Sequence, residues 1–297
     1  MTKLKLQYVS DKIGDEYKSW NNGDVVFITA QTGTGKNYFV ENVLLQYCID
    51  NNKKILYIGN RLNLKRQVKI NILQQQGIDA TTLDDETIDN MTELGKITVV
   101  SYHQIQTHLI NLEYFTYYIR DNYSGFDYIV MDEVQYVLQD SSFNNKIDFF
   151  YKRFICNYKQ ESVVIYMSAT ADNIKPELVN YYKQFDVKLK EYTTNEDYSY
   201  VETYYFKKFS DIATLINNDT SDNKWLIFVS NMTIGINLLG TIADSKFICS
   251  EGANQKYVDK MDKTELHNII HNNYFDCKCL ITTKTLDNGI NLYCLIL

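Results

Sequence analysis

The segment Val25-Val26-Phe27-Ile28-Thr29-Ala30-Gln31-Thr32-Gly33-Thr34-Gly35-Lys36-Asn37 passes from a β-branched and aromatic run, through two closely spaced glycines, to a lysine. A run of that composition reads as a buried strand. Beyond it, Phe39, Val40, Val43, Leu44, Tyr47 and Cys48 recur at helical spacing, so the glycines join a strand to a helix. A strand, a glycine loop and a lysine at a helix start make a phosphate-binding loop. Gly33 and Gly35 allow the tight turn that points successive N–H groups at one phosphate. The helix N-terminus adds partial positive charge and Lys36 a full one. Two positions depart from the usual pattern. Ala30 stands where many such loops have glycine, and Asn37 replaces the Ser or Thr whose hydroxyl holds Mg²⁺. A plain glycine turn with an incidental lysine is the competing reading; the strand before and the helix after favour the phosphate loop.

The 297 residues suffice for about two domains. Hydrophobic residues at 45% and charged ones at 23% describe a soluble globular chain with a sizeable core. A net charge of −7 argues against simple bulk coating of nucleic acid and leaves a local basic groove open. Met1 to Asp11 lacks the apolar core of a signal segment, and no apolar run approaches the ~18 residues of a membrane span. The expected setting is therefore the cytoplasm, with no membrane partner. The cysteines are scattered apart from Cys277 and Cys279, and no further Cys or His cluster completes a metal set. Buried free thiols are the expectation.

Further along, Lys54–Gly59, Ile97–Ser101, Tyr128–Met131 and Val163–Met167 read as strands separated by helical stretches. Such alternation means a parallel sheet covered on both faces, with ligands at the C-terminal strand ends. Asp132-Glu133 and Ser168-Ala169-Thr170 fall at that end, as does the glycine loop. Paired carboxylates there suit a divalent cation and a polarised water. Aromatics in Tyr17–Gly23 are placed either to stack on a base or to pack against the sheet. Arg61, Lys65, Arg66 and Lys69 form the densest basic cluster, read as a phosphate-contact surface or as a solvated helix face. Asp79–Gly95 reads as an acidic connection, and a helical region is expected from about Asn144 to Tyr158. Phe185–Tyr200 is polar, which sets expected domains at 1–192 and 193–297. The pattern then restarts: strands at Val201–Phe206, Trp225–Ser230, Lys246–Cys249 and Cys279–Thr283, helices at Ser210–Asn217, Met232–Leu239 and Val258–His271. A last apolar strand, Leu292–Leu297, has no helix after it, which suggests truncation or a missing partner.

With these residues in place, the chain resembles superfamily 2 helicases of the DEAD/DEAH-box-like kind, and is most similar to phage or prophage versions. Motif I resembles Ala30–Asn37, in a family whose loops do begin with Ala. Motif Ia resembles Gly59-Asn60-Arg61 through Gln67, and Val100–His103 resembles the next strand-contacting motif. Motif II is Asp132-Glu133-Val134-Gln135 and motif III is Ser168-Ala169-Thr170. Ile227–Asn231 resembles motif IV, and Thr283 through Gly289-Ile290-Asn291 resembles motif V. The resemblance implies an α/β fold of two RecA-like parallel-sheet domains in tandem, the second incomplete. It implies ATP on Gln31, Thr32, Gly33, Thr34, Gly35, Lys36 and Asn37, with Gly289 and Asn291 facing the nucleotide. Mg²⁺ would be held by Asn37 and Asp132, with Lys36, Asp132 and Glu133 catalytic. Gln135, Ser168 and Thr170 would couple hydrolysis to movement. Arg61, Ser101, Ser230 and Thr283 would touch single- or double-stranded nucleic acid, with DNA favoured over RNA by the D-E-V-Q form of motif II.

The implied function is an ATP-dependent helicase or translocase. Two departures carry weight. Asn37 lacks the usual hydroxyl, and no stretch resembles the arginine-bearing motif VI, since no arginine follows Arg153. The expectation is ATP binding with slow hydrolysis by this chain alone, a partner chain supplying motif VI. The alternatives are a non-catalytic, ATP-gated nucleic-acid-binding module or split-enzyme subunit, and a translocase that separates no strands.

Overall fold

The computed structural model describes residues 7–59, 62–110, 125–139, 150–155, 161–185, 187–194, 202–250 and 252–286. The chain divides into two compact units, Met1–Tyr198 and Ser199–Leu297. In the first, β1 (Val25–Thr29), β2 (Ile55–Gly59), β3 (Glu93–Leu94), β4 (Ile97–Ser101), β5 (Tyr128–Met131), β6 (Val163–Ser168) and β7 (Leu189–Thr193) form one sheet in the order β3-β4-β2-β5-β6-β1-β7. All pairings are parallel except β3 with β4. Every residue of β2, β5 and β6 is buried, as a sheet covered on both faces requires. The described helices of this unit are α1 (Val9–Ile13), α2 (Lys36–Tyr38, Phe39–Leu44 and Leu45–Asp50), α3 (Leu62–Gln75), α4 (Asp85–Asn90), α5 (Tyr102–Ile110), α6 (Tyr136–Gln139) and α7 (Lys175–Tyr182). The α/β parallel-sheet expectation holds.

Helix α2 follows the glycine loop, beginning at Lys36–Tyr38, passing through a π-turn at Phe39–Leu44 and ending with Leu45–Asp50. The extra residue of the π-turn shifts the buried face. Phe39, Val40, Leu44 and Cys48 point inward as their spacing suggests, but Leu45 joins them, and Val43 is only half-buried. The same shift carries Glu41 inside.

Three other expectations change. First, β7 lies within the polar stretch 185–200. Only Tyr192 of β7 is buried, so no apolar run announces the strand; backbone pairing from Val25↔Leu189 to Thr29↔Thr193 makes it. Second, the connection at 79–95 is folded. The Asp79 and Asp84 side chains accept N–H groups from Thr81 and Thr87, capping a 3-10 turn and α4. Third, Tyr17 and Trp20 are buried. Tyr17 meets Phe39 edge-on at 5.8 Å, and the Trp20 Nε1–H donates to the Tyr192 hydroxyl at 3.3 Å. These aromatics pack the sheet and are not a base platform.

Of the basic cluster, Arg61 lies outside the described residues, and the other three form neither a phosphate surface nor a solvated face. Lys65, Arg66 and Lys69 are all buried. Arg66 donates through Nε to Asp89 at 2.9 Å, through Nη2 to the same carboxylate, and through Nη1 to Asp85 at 2.7 Å. Lys69 Nζ donates to the carbonyls of Ile88 and Asp89 at the end of α4, at 3.0 and 2.8 Å. The cations of α3 thus hold α4 in place. Burial pushes the Lys69 ammonium down to about 8, with the neighbouring Lys65 charge adding to the effect. Replacing Arg66 by Ala should cost roughly 2–4 kcal/mol, because it strands carboxylates built around a buried guanidinium. Urea unfolding measures it, and a shift below about 0.5 kcal/mol would mean the pairs are solvated.

Among the described residues, the second unit has a three-stranded parallel sheet, β8 (Trp225–Phe228), β9 (Ser245–Ile248) and β10 (Cys279–Thr282), in the order β8-β10-β9. Its helices are α8 (Phe209–Asn217), α9 (Met232–Leu239), α10 (Gln255–Val258) and α11 (Lys263–Asn272). The central β10 is fully buried. The outer β8 leaves Leu226 and Phe228 exposed, contrary to the buried strand its composition suggests. Residues 202–206 are exposed and form no strand. The helix read at Val258–His271 is two helices, the second begun by Asp262, whose Oδ1 accepts the Glu265 N–H at 2.8 Å. Cys277 and Cys279 are buried free thiols, pushed up to about 12 and 11 by burial. Among the described residues, no helix is long and apolar enough to cross a membrane. The expected strand at Leu292–Leu297 and most of the helical region at 144–158 lie outside the described residues.

Candidate functional site

Strand order decides which motifs meet. β6 lies between β5 and β1, so the glycine loop after β1, Ser168 at the end of β6 and Asp132-Glu133 after β5 stand side by side at the C-terminal end of these strands. Two strand spacings put the ends of β1 and β5 about 10 Å apart. Backbone bonds stitch the three segments together: Ala30 N–H to the Ser168 carbonyl at 3.0 Å, and Val134 N–H to the Met167 carbonyl at 3.2 Å.

Gly33 and Gly35 both adopt left-handed backbone, with φ of 83° and 82°. Left-handed residues interleaved with others form a concave nest of N–H groups suited to an anion. A side chain at either position would strain that turn. Thr34 is buried and its hydroxyl donates to the Gln31 carbonyl at 2.6 Å, fixing the loop from within. Gln31 is buried, Thr32 is exposed, and Asn37 is half-buried at the start of α2. Lys36 is buried and its Nζ donates to the Ala30 carbonyl at 2.9 Å, a bond it can exchange for a phosphate oxygen. From α1, Val9 N–H reaches the Thr34 carbonyl at 2.9 Å and braces the loop from outside.

Asp132 is almost wholly buried, and Glu133 is half-buried with a left-handed φ of 50°. Burial first, and the Glu133 charge second, push the Asp132 carboxyl up to about 7, while the Tyr57 hydrogen bond and the Lys36 charge pull it down. A buried carboxylate whose charge is so penalised suits a divalent cation, which would compensate it. Beyond Glu133 a side-chain relay begins. Gln135 Nε2 donates to the Glu133 carboxylate, and Gln135 Oε1 accepts from the Ser168 hydroxyl at 2.6 Å. The same Ser168 oxygen accepts the N–H of Thr170 at 2.8 Å. The structure therefore joins Glu133, Gln135, Ser168 and Thr170 in one chain.

Ser101 is buried. Its N–H and hydroxyl donate to Gln104 Oε1 at 2.8 and 3.1 Å, an oxygen that also takes Lys65 Nζ at 3.1 Å. In the second unit, Ser230 is exposed just past β8, and Thr283 is half-buried just past β10 with its hydroxyl 2.9 Å from that of Thr285. Val229 N–H bonds the Thr282 carbonyl at 2.7 Å, so both stand at the C-terminal end of that sheet. Arg61, Gly289 and Asn291 lie outside the described residues.

Three buried groups at the site escape sequence reading: Tyr57, Tyr102 and Glu41. Nothing in their local spacing marks them, since each acts across the fold. Glu41 is 4% exposed, with Oε2 accepting from Asn71 Nδ2 at 3.1 Å and Oε1 without a partner among the described residues. Burial pushes its carboxyl up from 4.5 to about 8, the Asn71 bond opposing and the Asp132 charge adding. The folded state therefore keeps a proton that the unfolded chain releases above pH ~4.5, and stability falls as pH rises from there to about 8. Glu41→Gln removes this dependence. Its melting temperature should gain on the wild type by several degrees between pH 5.5 and 8.5, whereas a gap constant with pH would mean that Glu41 is ionised when folded.

Residues 15–178 match the family described as DEAD/DEAH box helicase. Among curated proteins, no sequence matches. Among solved structures, the Escherichia coli DEAH/RHA helicase HrpB is similar, with a TM-score of 0.55 and 14% identity over 96% of this chain and 35% of HrpB. At that identity the likeness is one of fold, an α/β RecA-like architecture, and this chain spans about a third of HrpB's length. The family match takes in the glycine loop, Asp132-Glu133 and Ser168–Thr170 across more than half the sequence. This chain belongs to the DEAD/DEAH box helicase family.

Proposed function

We propose that the chain is an ATP-dependent helicase or translocase that couples ATP hydrolysis to movement along a nucleic-acid strand. The observation that carries this reading is the placement of the glycine loop, Asp132-Glu133 and the Gln135–Ser168 bond at the ends of three adjacent strands. Phosphates lie on the Gly33–Asn37 backbone, and Lys36 exchanges the Ala30 carbonyl for a phosphate oxygen. Mg²⁺, held by Asp132 and Asn37, would neutralise charge on the phosphates. Glu133 takes the proton of the attacking water. Gln135, bonded to Glu133 and Ser168, shifts with the state of that carboxylate and carries the change to Thr170. Arg61, Ser101, Ser230 and Thr283 contact the strand, DNA in preference to RNA.

The decisive measurement is phosphate release from Mg–ATP with and without single-stranded DNA or RNA. Stimulation by the strand, larger for DNA, is the expected result. Absence of any Mg–ATP binding would overturn the reading.

A second reading, an ATP-gated binding module, is favoured by Asn37, an amide where such a loop usually carries the hydroxyl that holds Mg²⁺. An arginine finger supplies ~10³–10⁵ in rate, and none of residues 154–297 is an arginine that could act as one. ATP binding that tightens strand affinity without phosphate release, unrescued by any partner, would establish this module.

A further inference from the structure

Asp132 is held at every polar atom it has. Its N–H donates to the Ile58 carbonyl of β2 at 2.9 Å. Its Oδ1 accepts the N–H of Glu133 at 3.0 Å, and its Oδ2 accepts the hydroxyl of Tyr57 at 2.6 Å. Its main-chain carbonyl accepts the hydroxyl of Tyr102 at 2.9 Å. Both tyrosines are fully buried. Tyr57 sits mid-strand in β2, the neighbour of β5, and Tyr102 opens α5 immediately after Ser101. The Tyr102 ring is wedged edge-on against Phe150 at 5.1 Å and tilted against Tyr136 at 5.6 Å, so its hydroxyl has little freedom to leave.

Two consequences follow from this geometry. A carboxylate has about four acceptor directions, and the Tyr57 and Glu133 donors occupy one on each oxygen, leaving the others for a cation or its water shell. The carboxylate plane is thereby set before any cation arrives. The backbone beyond Asp132 turns into the left-handed region at Glu133, where a non-glycine residue is under strain. The Tyr102 bond to the preceding carbonyl prevents that peptide from rotating to relieve it.

We propose that Tyr57 and Tyr102 are positioning residues for the divalent cation of this site, Tyr57 orienting the Asp132 carboxylate and Tyr102 pinning its carbonyl. The inference rests on the nucleotide-site reading above. Partners that orient a metal-binding carboxylate typically change metal affinity 10- to 100-fold. Because β2 and β4 also lead into Arg61 and Ser101, the two tyrosines tie the cation site to the segments assigned to the strand.

The test uses the full chain, a fluorescent ATP analogue and a Mg²⁺ titration, for the wild type, Tyr57→Phe and Tyr102→Phe. Phenylalanine keeps the ring and removes only the hydroxyl. Tyr57→Phe should raise the Mg²⁺ concentration for half-maximal analogue binding about 10-fold, and Tyr102→Phe about 3-fold. Binding in excess EDTA, which depends on the glycine loop, should stay within about twofold in both. Parallel losses with and without Mg²⁺ would show a general structural role and overturn the proposal, as would an unmoved Mg²⁺ requirement in both variants. Should Tyr57→Phe fail to fold by circular dichroism, the Tyr102→Phe titration decides alone. A wild type that binds no analogue would overturn the nucleotide-site reading itself, a result distinct from these.

Discussion

Replacing Lys36 by alanine is expected to weaken ATP binding about 100-fold or more, beyond the reach of an ordinary titration. The Lys36 side chain is buried against the loop, and its ammonium is the one full positive charge carried by the loop itself. A charge-assisted bond contributes about 1.5–3 kcal/mol, and each 1.4 kcal/mol is tenfold in affinity. Direct attraction to further phosphate oxygens adds to that bond. The substitution also removes the charge that lowers the Asp132 carboxyl, so the cation site suffers as well. Fold stability should change little, because the bond lost is a single one to the Ala30 carbonyl. Calorimetric titration with Mg–ATP reads the effect, and unchanged affinity would sink the assignment of the site.

Glu133→Gln separates binding from turnover. Glutamine has the same length and retains an oxygen to accept from Gln135 Nε2, so the relay through Gln135 to Ser168 survives. What it lacks is a group able to take a proton from water. General-base loss typically costs 10²–10⁴ in rate, so phosphate release should drop by about that factor with ATP affinity kept. The variant should therefore accumulate bound ATP, which retention of radiolabelled nucleotide on a filter would reveal. Wild-type turnover in this variant would move the base elsewhere. Loss of binding together with turnover would mean that Glu133 holds the loop and does not act on water.

Much of this site is legible in the chain because its parts are local. The strand Val25–Thr29, the left-handed glycines and the lysine lie within thirteen residues, and each is dictated by backbone sterics and hydrophobic run length. The same holds for β5 running into Asp132-Glu133 and β6 into Ser168. What misleads is charge. Lys65, Arg66 and Lys69 look like a solvated or phosphate-facing cluster until α4 brings Asp85 and Asp89 against them, 19 and 23 residues from Arg66. Periodicity likewise misplaces one turn of α2, since a π-turn inserts a residue without any Gly or Pro to announce it.

The sequence by itself determined the buried strands β1, β2, β4, β5 and β6, their order along the chain and the reactive groups at their ends, because glycine torsions, apolar runs and a lysine at a helix start act over a few residues. Only the tertiary structure decided which ends are neighbours, that β7 completes the sheet beside β1, and that Tyr57 grips Asp132 from 75 residues away. Those outcomes depend on strand order and on which buried polar groups find partners. Both are settled by long-range packing, in which every buried donor and acceptor needs a partner, and no window of residues contains that information.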